Sequence, residues 1–131
     1  MNQLRYSNNY TTLTRNELIQ AVQSQMSQKR FQHVLGVEQT AVELAEKYGA
    51  SNEAASIAAL THDYAKERSD KEMQELIYRE QFDLELLEYG SNIWHGPLGA
   101  FLVEQELGIS DSDILNAIKY HTIGAPEMTI L

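Results

Sequence analysis

Ala58-Ala59-Leu60-Thr61-His62-Asp63-Tyr64-Ala65-Lys66 joins an alanine-rich run to a His-Asp pair. The small side chains of the run let neighbouring helices approach closely, and the pair ends it with an imidazole and a carboxylate, both competent metal donors. Ser51 stands where an N-cap belongs, so the spacing predicts a helix over 52–65 that carries His62 and Asp63 in its last turns. Successive helical residues point about 100° apart. The two can therefore serve one centre only by flanking it near the helix end.

Working outward, the punctuation on either side is helical as well. Thr14 with Glu17 forms a capping-box pattern ahead of Leu18, Val22 and Met26. Residues 1–13 before it are polar and are expected to be a loose N-terminal extension, leaving 14–131 as the single domain. A second helix is predicted over 30–48, with Val34, Val37, Ala41, Leu44 and Ala45 as its apolar stripe and Gly49 as its stop. Ser69 with Glu72 opens a charged helix over 70–79, which together with a short Leu84-Glu85-Leu86-Leu87 segment reads as a surface lobe. Pro97 is best tolerated in a first helical turn, which places His95 at or just before the start of a helix ending at Gly108. Ser110 or Asp111 caps a last helix that ends near His121, and Gly124 and Pro126 break it. No stretch alternates like a strand. The expected fold is all-α, a bundle of five to six helices.

The chain has four histidines, His33, His62, His95 and His121, and each falls within or at the end of a predicted helix. Converging helices are how bundles assemble metal sites. In a two-metal site Asp63 can bridge two ions while His62 binds one of them, His33 completes the first shell, and His95 with His121 serves the second ion. Lys66 lies three or four residues beyond the pair, on the same face of a continuous helix, where its ammonium would neutralise a phosphate oxygen. Arg30 bears the same relation to His33, although a residue near a helix start is equally placed for solvent. Taken singly, each of these has a plainer explanation. A lone histidine at a helix end is usually a cap or a satisfied core residue, a lone lysine is usually solvated, and the acidic stretch over 80–88 reads as a solvated face.

Composition narrows the classes further. At 131 residues with 43% apolar content the chain supports one packed core. A formal charge of −9 opposes encounter with nucleic acid or an anionic membrane. A small phosphorylated ligand stays compatible, because bound divalent cations invert the field inside a cleft. With no cysteine, thiolate zinc sites, disulfides and cysteine nucleophiles are excluded, leaving imidazole and carboxylate as metal ligands. The N-terminus lacks a signal-peptide core and no segment is long and apolar enough to span a bilayer, so a cytoplasmic protein is expected.

Four segments taken together carry a resemblance: Arg30-Phe31-Gln32-His33, the Ala58 to Lys66 stretch, Ile93-Trp94-His95-Gly96-Pro97-Leu98-Gly99-Ala100, and Ala117-Ile118-Lys119-Tyr120-His121-Thr122-Ile123-Gly124. In order and context they resemble the HD-domain phosphohydrolases, and within them the small bacterial YqeK-type symmetrical diadenosine-tetraphosphate hydrolases. The resemblance implies metal ligands at His33, His62, Asp63, His95 and His121, a divalent centre of two irons with manganese or other divalent ions as substitutes, and a phosphate pocket lined by Lys66 and Thr122. It further implies Asp63 and Lys66 as the catalytic pair and a small-molecule nucleotide as substrate, cut to two molecules of ADP. A homodimer stays open. Members of that family continue beyond the position of Leu131 into a helix bearing a further aspartate ligand, in a segment resembling Val-Ala-Asp-Tyr-Ile-Glu-Pro. Asp111 and Asp113 are out of order for that role, so the expectation is a C-terminally incomplete domain, a piece of a longer protein. Two alternatives remain beside the tetraphosphatase reading: another HD-type hydrolase acting on nucleoside monophosphates or guanosine alarmones, and a metal- or nucleotide-binding module without turnover.

Overall fold

The computed structural model describes residues 4–7, 9–82 and 91–120, and all of their side chains except those of 91–93, 95 and 120. Six α-helices follow one another: α1 (Arg15–Gln23), α2 (Gln28–Tyr48), α3 (Asn52–Thr61), α4 (Asp70–Arg79), α5 (Ser91–Leu107) and α6 (Ser112–Tyr120). No strand occurs among the described residues, and the fold is all-α as expected. The expected segment at 84–87 lies outside them.

Local chemistry explains the ends. The Thr14–Glu17 capping box is formed in both directions, and the hydroxyls of Ser27, Ser51 and Ser69 each accept the N–H of the third residue of the helix they open, Arg30, Ala54 and Glu72. Helix α2 stops in a Schellman motif: Gly49 lies at φ 72°, the Ala50 N–H donates to Ala45 O at 2.8 Å, and the Gly49 N–H to Glu46 O at 3.4 Å.

Helix α3 is the centre of the bundle. Ala54, Ala55, Ser56, Ile57, Ala59, Leu60 and Thr61 are all buried, and a helix enclosed on nearly every side must be small or apolar throughout. It packs most extensively on α2 and also meets α1 and α6, while α5 pairs with α6. Leu18, Val34, Met73, Leu98, Val103 and Ile118 join the same core.

Four expectations are corrected. The apolar stripe of α2 is turned: Phe31, Val34, Glu38, Val42 and Ala45 face inward, whereas Leu44 is exposed and Val37 and Ala41 are half-buried. Placing Glu38 inside requires a partner, and Arg15 provides one. The described N-terminal residues are held against the bundle. Tyr6, Tyr10 and Leu13 pack on the core, and Ser7 donates its N–H and hydroxyl to Glu53 at 3.0 and 2.8 Å. Helix α4 is not a surface lobe, since Met73, Leu76 and Ile77 are buried in the common core. Pro97 lies inside α5 instead of opening it. An interior proline costs about 3 kcal/mol, and here the burial of Trp94, Leu98, Ala100, Leu102 and Val103 along the same helix outweighs that cost.

Candidate metal centre

The His-Asp pair follows the C-terminal end of the most buried helix. Helix α3 ends at Thr61 rather than near Ala65, with His62 as its C-cap. The Thr61 hydroxyl donates back to Ile57 O at 2.7 Å, and the chain then tightens into turns, Tyr64 N to Thr61 O at 3.0 Å and Lys66 N to Asp63 O at 2.9 Å. This departure from the helix solves the problem of divergent directions. His62 and Asp63 both bring donor atoms towards His33, which stands exposed in the second turn of α2.

One donor atom from each of His33, His62 and Asp63 lies within 4.8 Å of the other two. The imidazole rings of His33 and His62 have centroids 6.5 Å apart. His62 Nδ1 is 2.6 Å from Ala59 O, and a carbonyl oxygen can only accept, so the proton of that bond is on Nδ1. With Nδ1 committed to that carbonyl, Nε2, 3.5 Å from Asp63 Oδ2, is the ring nitrogen that can bind a metal ion. Two imidazoles and a carboxylate form the donor set preferred by borderline divalent ions, so the residues present fit such a centre.

Asp63 is 8% exposed, and Arg30 Nη1 donates to its Oδ2 at 3.1 Å. Arg30 thus belongs to the site and not to solvent. Glu67 accepts from the Ser27 N–H at 2.9 Å and the Ser27 hydroxyl at 3.0 Å, and lies 3.4 Å from Arg30 Nε. These bonds, Ser27 first, hold its carboxyl below the usual range.

Lys66 is half-buried in the turn after α3. The shared helix face expected for it with the His-Asp pair does not exist, because the helix ends before the pair; its side chain makes no hydrogen bond or ion pair with a described residue. His95 lies within α5, with its side chain outside the described residues; His121 and Thr122 lie outside them altogether.

Arg68, which the sequence did not single out, fixes the turn from the far side. Its guanidinium donates to Gln25 Oε1, Glu72 and Glu106 at 2.6 to 3.1 Å and lies over the Tyr64 ring at 5.3 Å. Tyr64 in turn donates its hydroxyl to Glu106 at 2.7 Å. The segment after α3 is thereby tied to the α1–α2 connection, to α4 and to α5. Arg68 and then Tyr64 hold the Glu106 carboxyl below its ordinary 4.5. Because Glu67 and Glu106 both release protons more readily in the fold, their stabilisation is complete above about pH 4.5 and is lost as pH falls through their lower folded values. Urea unfolding at pH 7, 5 and 3 should show this decline below pH 4.5, and Glu106→Gln should make it shallower; an unchanged slope would remove Glu106 from the account.

Residues 30–131, which include all four histidines, match the HD domain family. The chain belongs to the HD-domain family. Among its relatives, this HD chain is 47% identical over 119 residues to the symmetrical bis(5'-nucleosyl)-tetraphosphatase of Bacillus subtilis, covering 91% of itself and 64% of that protein. It is 42% identical to the protein of the same name from Halalkalibacterium halodurans, with the same 91% and 64% coverage. A crystal structure described as a predicted HD superfamily hydrolase involved in NAD metabolism, from Clostridium acetobutylicum, superposes with a TM-score of 0.75 at 35% identity, covering 88% of this chain and 61% of that one. The HD chain therefore spans about two thirds of the length of the relatives it matches. No helix among its described residues is long and apolar enough to cross a membrane.

Proposed function

We propose that this HD-domain chain hydrolyses the phosphoanhydride of diadenosine tetraphosphate symmetrically to two ADP, at a dinuclear centre of iron or manganese. The observation that carries the reading is the meeting of His33, His62 and Asp63 donors within 4.8 Å at the end of a buried helix. The names of the two tetraphosphatase relatives support the substrate.

Divalent cations held there supply the Lewis acidity and the activated water that phosphoanhydride cleavage requires. The chain's own residues position them. Hydrogen bonding to Ala59 O orients His62, burial keeps water from competing for Asp63, and the carboxylate has two oxygens with which to bridge. In this reading His95 and His121 complete the ligand set, while Lys66 and Thr122 meet the phosphates. Lys66 suits that role through its lack of a partner among the described residues, which leaves its ammonium available to an anion.

The test is incubation of the chain, loaded anaerobically with iron or with manganese, with diadenosine tetraphosphate, followed by chromatography. ADP as sole nucleotide product, abolished by chelator, is the expected result. AMP with ATP would contradict the symmetrical cut, and metal and nucleotide binding without any product would indicate a binding module.

A further inference from the structure

Beyond α3 the backbone runs in successive i→i+3 turns, Tyr64 N to Thr61 O at 3.0 Å, Lys66 N to Asp63 O at 2.9 Å and Arg68 N to Ala65 O at 3.1 Å. Such bonds have poorer geometry than those of an α-helix. Burial of Tyr64 and Ala65, 3% and 1% exposed, holds the turn on the core, but apolar burial has no direction. The direction comes from Arg68, whose side chain is 11% exposed. Its Nε and Nη2 donate to Gln25 Oε1 at 3.1 and 2.8 Å, Nη2 also to Glu106 Oε1 at 2.6 Å, and Nη1 to Glu106 Oε2 and to Glu72 at 3.1 Å each. Glu106 Oε1 accepts the Tyr64 hydroxyl as well, at 2.7 Å.

We propose that Arg68 is a positioning residue of the metal centre: through Gln25, Tyr64 and Glu106 its guanidinium fixes the Asp63 carboxylate relative to His33, and so sets metal affinity without touching the ion or the substrate. The inference rests on the reading of His33, His62 and Asp63 as metal ligands.

The physical basis is where the partners sit in the chain. Gln25 stands two residues before Ser27, the N-cap of α2, and His33 lies in the second turn of that helix. Tyr64 follows Asp63 directly. Glu106 is in the last turn of α5, the helix in which His95 lies. One planar guanidinium thus joins the three elements that carry His33, the His-Asp pair and His95. Arginine suits this task because its rigid fork presents several donors in fixed directions. The fork grips both oxygens of Glu106 while its Nε edge grips Gln25, so the turn can neither slide along α5 nor lift from the start of α2. A site of this kind works only when its donors are held to within about 0.5 Å of their productive geometry. Asp63, with weak backbone bonding on either side, takes that precision from the adjoining Tyr64 and from Arg68 five residues on.

The 131-residue chain tests this by calorimetric titration with Mn²⁺ and by the electron paramagnetic resonance spectrum of the bound ion, at a temperature where each variant is folded. Arg68→Ala should bind Mn²⁺ about tenfold or more weakly, the scale on which residues that orient metal ligands act, and the spectrum of its bound ion should broaden. Arg68→Lys keeps the charge without the fork and should lie between the two; it also carries the test if the alanine variant does not fold. Tyr64→Phe keeps the buried ring, loses one hydrogen bond to Glu106, and should show a smaller loss in the same direction. Thr14→Ala, which uncaps α1 and leaves every tie of the turn in place, should lower the melting temperature and leave Mn²⁺ affinity unchanged. A lower melting temperature for Arg68→Ala with parental affinity and spectrum would show a merely structural arginine and overturn the inference alone. An equal loss of affinity in Thr14→Ala would overturn it too, since affinity would then only follow stability. Absence of Mn²⁺ binding by the parent would instead remove the metal-centre reading and this inference with it.

Discussion

Replacing Arg15 by alanine is expected to destabilise the fold by about 3–5 kcal/mol, the cost of leaving a buried carboxylate without its partner. Glu38 is 1% exposed in the middle of α2 and receives Arg15 Nη2 on Oε1 at 2.7 Å and Arg15 Nε on Oε2 at 2.9 Å. Ser56, on α3, donates its hydroxyl to the same carboxylate at 2.6 Å. With that proton committed, the 2.7 Å contact between Tyr6 and Ser56 must have the tyrosine as donor. Burial, above all, pushes the Tyr6 hydroxyl well above its ordinary range, so it stays a donor throughout the accessible pH range. The network thus fastens the N-terminal segment, α1, α2 and α3 through a single carboxylate. Removing Arg15 leaves one hydroxyl to support a desolvated charge. The double variant Arg15→Ala, Glu38→Gln should recover a large part of the loss, because a neutral amide of the same shape is less costly to bury. Urea denaturation of the three proteins checks this; a loss below about 1 kcal/mol for Arg15→Ala, typical of an exposed pair, would mean that water reaches Glu38.

Asp63→Ala is expected to abolish metal retention and reduce turnover by well over a hundredfold. Changes to residues that merely orient metal ligands typically cost ten- to a hundredfold, and in the proposed function Asp63 is itself the bridging ligand. Its effect on folding should be far smaller than that of Arg15→Ala. Arg30, which pairs with it, is one-third exposed and can turn to Glu67, so losing Asp63 leaves that guanidinium with another carboxylate. Asp63→Asn separates shape from charge: it keeps an acceptor for Arg30 but gives up the negative oxygen that a dication needs. Metal analysis after gel filtration, paired with thermal melting, distinguishes a lost ligand from a lost fold. Metal content equal to that of the parent in Asp63→Ala would exclude Asp63 from the centre.

Features determined by neighbours in sequence were legible from sequence. The caps at Thr14, Ser51 and Ser69 and the glycine stop at Gly49 act within a few residues and lie where expected, although α3 stops four residues short of its expected end. His33, His62 and Asp63, which the sequence offered as candidate ligands of one ion, bring donor atoms within 4.8 Å of one another. What escaped was governed by distant partners. Glu38 interrupts an apolar stripe, and nothing local shows that Arg15, a full helix earlier, makes its burial tolerable; without that pairing the stripe of α2 was placed one notch round, on Val37, Ala41 and Leu44. Pro97 follows the first-turn rule only if no tertiary burial opposes it, and the core around α5 does. The turn after α3 depends on Arg68 reaching Gln25 and Glu106, and Arg30 on reaching Asp63, contacts across 33 to 43 residues that no periodicity encodes.

Calorimetric titration of Mn²⁺ into the apo chain, compared with the same titration into His62→Ala, tests most directly whether the donors at the end of α3 form a metal centre. The account predicts specific binding by the parent that His62→Ala loses while its melting temperature is maintained. Equal Mn²⁺ affinity in both proteins would contradict it.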